Sequence, residues 1–169
     1  MRTAIRLFTL LGLMISMSAL RAADDEVVLK VGKTADLVKY IQAQKGKIVI
    51  MDFWGDFCIP CKKEFPNLVR LHNQHAKDGL VCVSVSVDLI EDKDKALKFL
   101  KDKKATFHNI LLDEEPDVWQ TKWKFIAVPA VVVYGRDGEI AKKFTYDDPN
   151  NQFDYQDVEK FLKPMLEKK

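Results

Sequence analysis

Residues 47–66 read Lys47-Ile48-Val49-Ile50-Met51-Asp52-Phe53-Trp54-Gly55-Asp56-Phe57-Cys58-Ile59-Pro60-Cys61-Lys62-Lys63-Glu64-Phe65-Pro66, and the change of pattern inside this stretch decides how the chain folds. From Lys47 to Trp54 the run is almost continuously apolar and rich in branched side chains, as in a central strand buried on both faces. From Cys58 to about Lys77 the period is helical: Cys61, Phe65, Leu68, Val69, His72 and Ala76 share one face, with Lys62, Lys63, Asn67, Arg70 and Asn73 elsewhere. The two cysteines therefore stand where a buried strand ends and an amphipathic helix begins.

Upstream, Val27 to Val31 alternates as a strand, and Thr34 caps a helix carrying Leu37, Val38 and Ile41 that Gly46 closes. Downstream, Leu80 to Val87 is a strand and Asp92 to Lys104 a helix whose stripe is Ala96, Leu97, Phe99 and Leu100. A short strand at Asn109 to Leu112 precedes a helix bearing Val118, Trp119 and Trp123. Ala130 to Tyr134, the Gly135-Arg136-Asp137-Gly138 turn and Glu139 to Phe144 read as a β-hairpin, and a helix over about 152–167 follows. Alternating strands and helices with a closing hairpin predict an α/β fold: a central mixed β-sheet flanked by helices on both faces. The polar segment Asp147 to Asn151 reads as a loop within one domain, 23–169.

Of the 169 residues 47% are apolar, enough for one sizeable core, and 27 Lys and Arg against 25 Asp and Glu are interspersed along the chain. With no broad basic field, nucleic acid is excluded as the expected partner, and a monomer is expected. Residues 1–22 differ from the rest. Arg2 and Arg6 precede an apolar run from Leu7 to Leu20 that ends in Arg21-Ala22-Ala23, the order of a secretory signal peptide. Cleavage is expected near Ala22, with Ala19 and Ala23 as neighbouring sites. The alternative is an uncleaved anchor, although the run is shorter than the roughly 20 residues that span a bilayer comfortably.

A Cys-x-x-Cys pair can be half a zinc site, an inert disulfide or a redox couple. Zinc needs two more ligands at matching spacing. Cys82 alternates with Val81, Val83 and Val85 as a small apolar filler of an inner strand, and His72, His75 and His108 form no second pair, so no metal is expected. Free N–H groups and the helix dipole at Cys58 favour its thiolate, which makes it the nucleophile. Cys61, one turn further in, is shielded and suited to resolve a mixed disulfide. Pro60 stiffens the first turn.

The stretch from Asp52 to Pro66 resembles the active-site segment of the thioredoxin superfamily, and Trp54-Gly55, Lys62 to Pro66, Val128-Pro129 and Asp137-Gly138 resemble its TlpA-like and ResA-like extracytoplasmic branch. The resemblance covers nearly all of the chain after residue 22. It implies a thioredoxin-like fold and a cis Val128–Pro129 bond, with Pro129 beside the catalytic disulfide and the neighbouring backbone free to pair with a substrate strand. Trp54, Phe57, Ile59, Pro60 and Val128 are the residues expected to meet substrate. Pro66 matches the proline of the active-site helix. Asp52, six residues before Cys58, matches a buried acid that takes the proton of the resolving cysteine; a hydrogen-bonded carboxyl at the strand's end is the alternative reading. Three positions depart from the pattern. Phe57 replaces a tryptophan, Tyr146 falls near a glycine that borders the substrate groove, and Asp88 is the nearest acid to a glutamate of cytochrome-maturation members, which leaves haem-pathway substrates open.

The expected activity is reduction of a disulfide-containing protein substrate, without a bound cofactor, outside the cytosol in the bacterial periplasm. A membrane-bound thiol electron donor would restore the dithiol. Rival readings are a disulfide-forming oxidase of the same fold, a peroxidase, and a non-catalytic module that binds copper or a partner protein.

Overall fold

The computed structural model describes residues 26–150 and 152–168, so the export segment expected at 1–22 lies outside the described residues. In chain order these form β1 (Leu29–Gly32), α1 (Thr34–Gln42), β2 (Ile48–Trp54), α2 (Ile59–His75), β3 (Leu80–Ser86), α3 (Lys93–Asp102), β4 (His108–Leu112), α4 (Pro116–Trp123), β5 (Ala130–Tyr134), β6 (Ile140–Thr145) and α5 (Tyr155–Glu167). The strands make one sheet in the order β1-β4-β3-β2-β5-β6. β1, β4, β3 and β2 run parallel, while β5 is antiparallel to both β2 and β6. This is the mixed sheet expected from the sequence.

Every residue of β2 is buried, because its alternate side chains enter two different cores. Ile48, Ile50 and Trp54 pack with Phe65, Leu68 and Leu71 of α2, Leu100 of α3 and Val158 and Leu162 of α5. Val49, Met51 and Phe53 pack with Leu37 and Ile41 of α1 and with Trp119 and Trp123 of α4. The sheet is thus covered on both faces. On the rims the chain is more polar: Ile140 to Lys143 of β6 are exposed, as is Lys30 of β1.

Three local expectations need correction. Thr34 is the first helical residue of α1 and not its cap: the Lys33 N–H donates to Asp36 Oδ2 at 3.0 Å, while the Thr34 N–H and hydroxyl both donate to Glu114 Oε1. Gly46 lies beyond α1, in a turn at φ 93° that leads into β2. On α2, Leu71 takes the inner place read for Ala76, which is exposed after the helix ends.

The register positions one rim of the sheet. Trp54 at the end of β2 pairs with Ser86 at the end of β3, and Phe53 pairs with Ala130 at the start of β5. The loops that follow β2 and β3 and the loop that precedes β5 therefore emerge side by side.

Candidate active site

Gly55, Asp56 and Phe57 form the link from β2 to α2. The Cys58 N–H donates to the Gly55 carbonyl at 3.0 Å, closing a turn. A Cβ on Gly55 would stand 2.4 Å from the Phe57 ring, so glycine lets that ring fold back over the loop. Two side chains anchor the link. The Asp56 N–H donates to Asp88 Oδ1 at 2.7 Å, and Lys62 Nζ pairs with Asp56 Oδ1 at 3.0 Å.

Cys58 is the N-cap of α2, with extended backbone at φ −89° and ψ 96°. Its Sγ accepts the Cys61 N–H at 3.3 Å and its carbonyl accepts the Lys62 N–H at 3.1 Å. Pro60 falls in the first turn, where a missing N–H costs no helical bond. The Cys58 and Cys61 sulfurs are bonded to each other, with the Cα atoms 5.3 Å apart. Cys58 is 6% exposed and Cys61 3%. Both sulfurs are thus nearly closed to solvent in the bonded pair. The accessible surface beside the disulfide belongs to Phe57, 68% exposed, and Ile59, 79% exposed, together with Pro60.

Trp54 does not join that surface. It is fully buried, packed against the rings of Phe65 and Phe99 at centroid distances of 5.3 and 4.9 Å, so the expectation that it meets substrate is corrected. As the last residue of β2, it lies on the face covered by α2. Pro129 is buried at the head of β5, and the Val128–Pro129 peptide bond is cis. Val128 is half-buried between the two cores. The loop before it is held by Asp147, whose Oδ1 accepts the N–H groups of Ile126 and Ala127 at 3.0 and 3.2 Å. Tyr146 is half-buried, its hydroxyl donating to the Phe153 carbonyl at 3.2 Å.

Asp52 is buried in β2, paired across the sheet with Ser84 and Val131. Burial pushes its carboxyl up to about 7; a hydrogen bond from the Tyr155 hydroxyl to Oδ2 pulls the other way, and the charge of Glu64 adds a smaller upward push. Asp52 is thus a hydrogen-bonded carboxyl inside β2, not at the strand's end, with its proton affinity raised toward neutrality by burial. Burial, then the Asp52 charge, pushes the Cys82 thiol far up. Burial also raises Asp88, against the bonds it accepts from the Ser86 hydroxyl and the Asp56 N–H.

Sequence reasoning missed Tyr155 and the anchoring role of Asp88. Tyr155 is a single aromatic residue at the start of a helix and lies 103 positions from Asp52, so no periodic signal links them. Asp88 is visible as an acid at a strand's end, but its bond to Asp56 depends on β2 and β3 being parallel neighbours. The assembled site holds two bonded sulfurs at a helix N-terminus, and the buried Asp52 carboxyl lies on the face of β2 that α2 covers. Among the described residues, no group of three or more His, Cys, Asp or Glu side chains is arranged to hold a metal ion.

Comparison with known proteins agrees with this geometry. Residues 46–140 match a family described as thioredoxin-like. The chain is 31% identical over 99 residues to the sporulation thiol-disulfide oxidoreductase A of Bacillus subtilis, covering 58% of this chain and 59% of that protein. It is 31% identical over 101 residues to the thiol-disulfide oxidoreductase ResA of the same organism, covering 60% of this chain and 54% of that one. It therefore spans little more than half the length of these relatives. Among solved structures, the thioredoxin domain of a thiol-disulfide oxidoreductase from Bacteroides vulgatus is similar with a TM-score of 0.55 and 28% identity, covering 71% of this chain and 82% of that one. StoA from Bacillus subtilis, at TM-score 0.53 and 23% identity over 69% of this chain and 83% of its own, shares the fold.

Proposed function

The chain belongs to the thioredoxin-like family, and from that premise we propose that it is a thiol-disulfide oxidoreductase that reduces disulfides in protein substrates. The observation that carries this reading is the bonded Cys58–Cys61 pair at the head of α2. In the reduced protein the partial positive charge of the helix end favours the Cys58 thiolate. That thiolate attacks one sulfur of a substrate disulfide; the other substrate sulfur leaves with the bonding pair and takes a proton. Cys61 then attacks Cys58 Sγ and releases the second substrate sulfur. The substrate gains two electrons and two protons, and the enzyme is left as the disulfide.

Asp52 is the acceptor for the Cys61 proton in this reading, supported by its burial and its titration near 7. The exposed Phe57, Ile59 and Pro60 offer an apolar margin to polypeptide beside the disulfide. Val128 and Pro129, at the head of β5 on the same rim, bound the place where an extended substrate strand would pair with loop backbone. Residues 1–22 as an export signal and 23–169 as the working domain support action in the bacterial periplasm. There a membrane-bound thiol donor would return the enzyme to the dithiol, and the chain would act as a monomer. Among the described residues, no helix is long and apolar enough to cross a membrane.

Insulin reduction tests the reading. Turnover in the parent protein, lost in Cys58→Ser and in Cys61→Ser, supports it. A parent protein that binds copper but reduces no disulfide supports a binding module instead.

A further inference from the structure

Tyr155 opens α5, its side chain is buried, and its hydroxyl donates to Asp52 Oδ2. Asp52 projects from the face of β2 that also carries Ile50 and Trp54, the face covered by α2 and α5. Its partners across the sheet bring no competing donor. Val131 of β5 is apolar, and Ser84 of β3 gives its hydroxyl to Asn109 Oδ1 at 2.8 Å. The titratable neighbours from the packed elements are Cys82 of β3 and Glu64 of α2, and the two cysteines at the head of α2 belong to the core that covers the same face of β2. No ion pair among the described residues reaches Asp52. The buried carboxyl is therefore held by a neutral donor and not by a cation.

We infer that Tyr155 is a positioning residue for disulfide exchange: by donating to Oδ2 it steadies the anionic Asp52 carboxylate and leaves Oδ1 as the oxygen that takes the Cys61 proton. This rests on the exchange reaction proposed above. In the step concerned, Cys58 Sγ is joined to a substrate sulfur. The Cys61 S–H bond breaks and its proton passes to Oδ1, while Cys61 Sγ bonds to Cys58 Sγ. The bond from Cys58 Sγ to the substrate sulfur breaks, and its electron pair leaves on the substrate as a thiolate that takes a proton from water. In this step Cys61 Sγ is oxidised and the departing substrate sulfur is reduced, while Cys58 Sγ exchanges one disulfide partner for another. A neutral donor suits this cycle because it favours the carboxylate while adding no fixed positive charge that would oppose uptake of the Cys61 proton. Its pull on Asp52 is downward, against burial, so its removal should make the carboxyl hold a proton more tightly.

The test compares the parent protein with Tyr155→Phe in two measurements. One is the NMR titration of the Asp52 carboxyl carbon in the reduced protein, and the other is the pH profile of insulin reduction. Loss of a hydrogen bond to a charged group should raise the proton affinity of Asp52 about tenfold, roughly one pH unit. The acidic limb of the turnover profile should move upward with it. In Asp52→Asn that limb should vanish, and adding Tyr155→Phe should not restore or move it. A merely structural tyrosine would lower turnover evenly across pH. An unmoved Asp52 titration in Tyr155→Phe overturns the inference, and so does a shifted titration with an unmoved turnover profile. Absence of insulin reduction in the parent protein overturns the exchange reading itself, whatever the variant does.

Discussion

The carboxylate of Asp88 holds the backbone of Asp56: Oδ1 accepts the Asp56 N–H at 2.7 Å, while Oδ2 accepts the Ser86 hydroxyl at 2.7 Å. A residue just beyond β3 thereby fixes the loop that delivers Cys58 to the head of α2. Asp88→Ala would leave one part-buried and one buried donor without their acceptor, a loss of roughly 1–3 kcal/mol. Denaturant unfolding of the oxidised protein should show that destabilisation, and insulin reduction should slow as the loop loosens. Asp88→Asn, which keeps one carbonyl acceptor, should lose less on both counts. Equal effects of the two substitutions would count against the loop anchor.

The two cysteines should separate by role. With a disulfide-bearing substrate, Cys61→Ser should accumulate a mixed disulfide on Cys58 that survives acid quenching and non-reducing electrophoresis. Cys58→Ser should accumulate none. The opposite result would reverse the assignment of attacking and resolving sulfur.

Asp52 makes stability depend on pH with a definite sign. Its carboxyl titrates near 7 in the fold against an ordinary value of 3.8, so between those values the folded chain holds a proton that the unfolded chain has released. The contribution of Asp52 to stability is full below about pH 4 and falls as pH rises through 7. The span is on the order of 4 kcal/mol. Asp52→Asn removes this slope. In denaturant melts, the stability of the variant relative to the parent should increase from pH 4 to pH 8; a difference independent of pH would sink the argument.

Phe57 and Ile59 are the most exposed large apolar groups beside the disulfide. Because so little of either is buried, Phe57→Ser and Ile59→Ser should change folding stability by no more than about 0.5 kcal/mol. KM for insulin should nevertheless rise several-fold in each, with little change toward a small aromatic disulfide that needs no apolar margin. An unchanged KM for insulin would remove these residues from substrate binding.

Cys82 is buried, and its thiol is pushed far above its ordinary range. In the reduced native protein, alkylation followed by mass spectrometry should label Cys58 rapidly and leave Cys82 unmodified. Cys82 should react only after denaturant is added. Rapid native labelling of Cys82 would contradict its role as core filler.

Much of this arrangement was legible because its signals are local. The apolar run before Cys58 and the helical period after it place the cysteines at a strand-to-helix junction, and Ala130 to Tyr134 stands as a strand with the bounds read for it. What escaped depends on how distant segments meet. Trp54 ends the strand next to the active-site loop, yet register turns its ring onto Phe65 and Phe99. Asp36, not Thr34, satisfies the N–H at the start of α1, because Thr34 is drawn to Glu114, 80 positions away. The Tyr155 to Asp52 bond joins the last helix to the central strand, and neither residue carries a pattern that names the other.

The polar rims of the sheet bear on how loose polypeptide behaves near this molecule. Lys142 and Lys143 project along β6, and β1 at the other side is only four residues long and carries Lys30. A stray strand seeking unpaired backbone at either place would have to desolvate ammonium groups or settle for a brief ladder, so lateral growth into aggregates is discouraged.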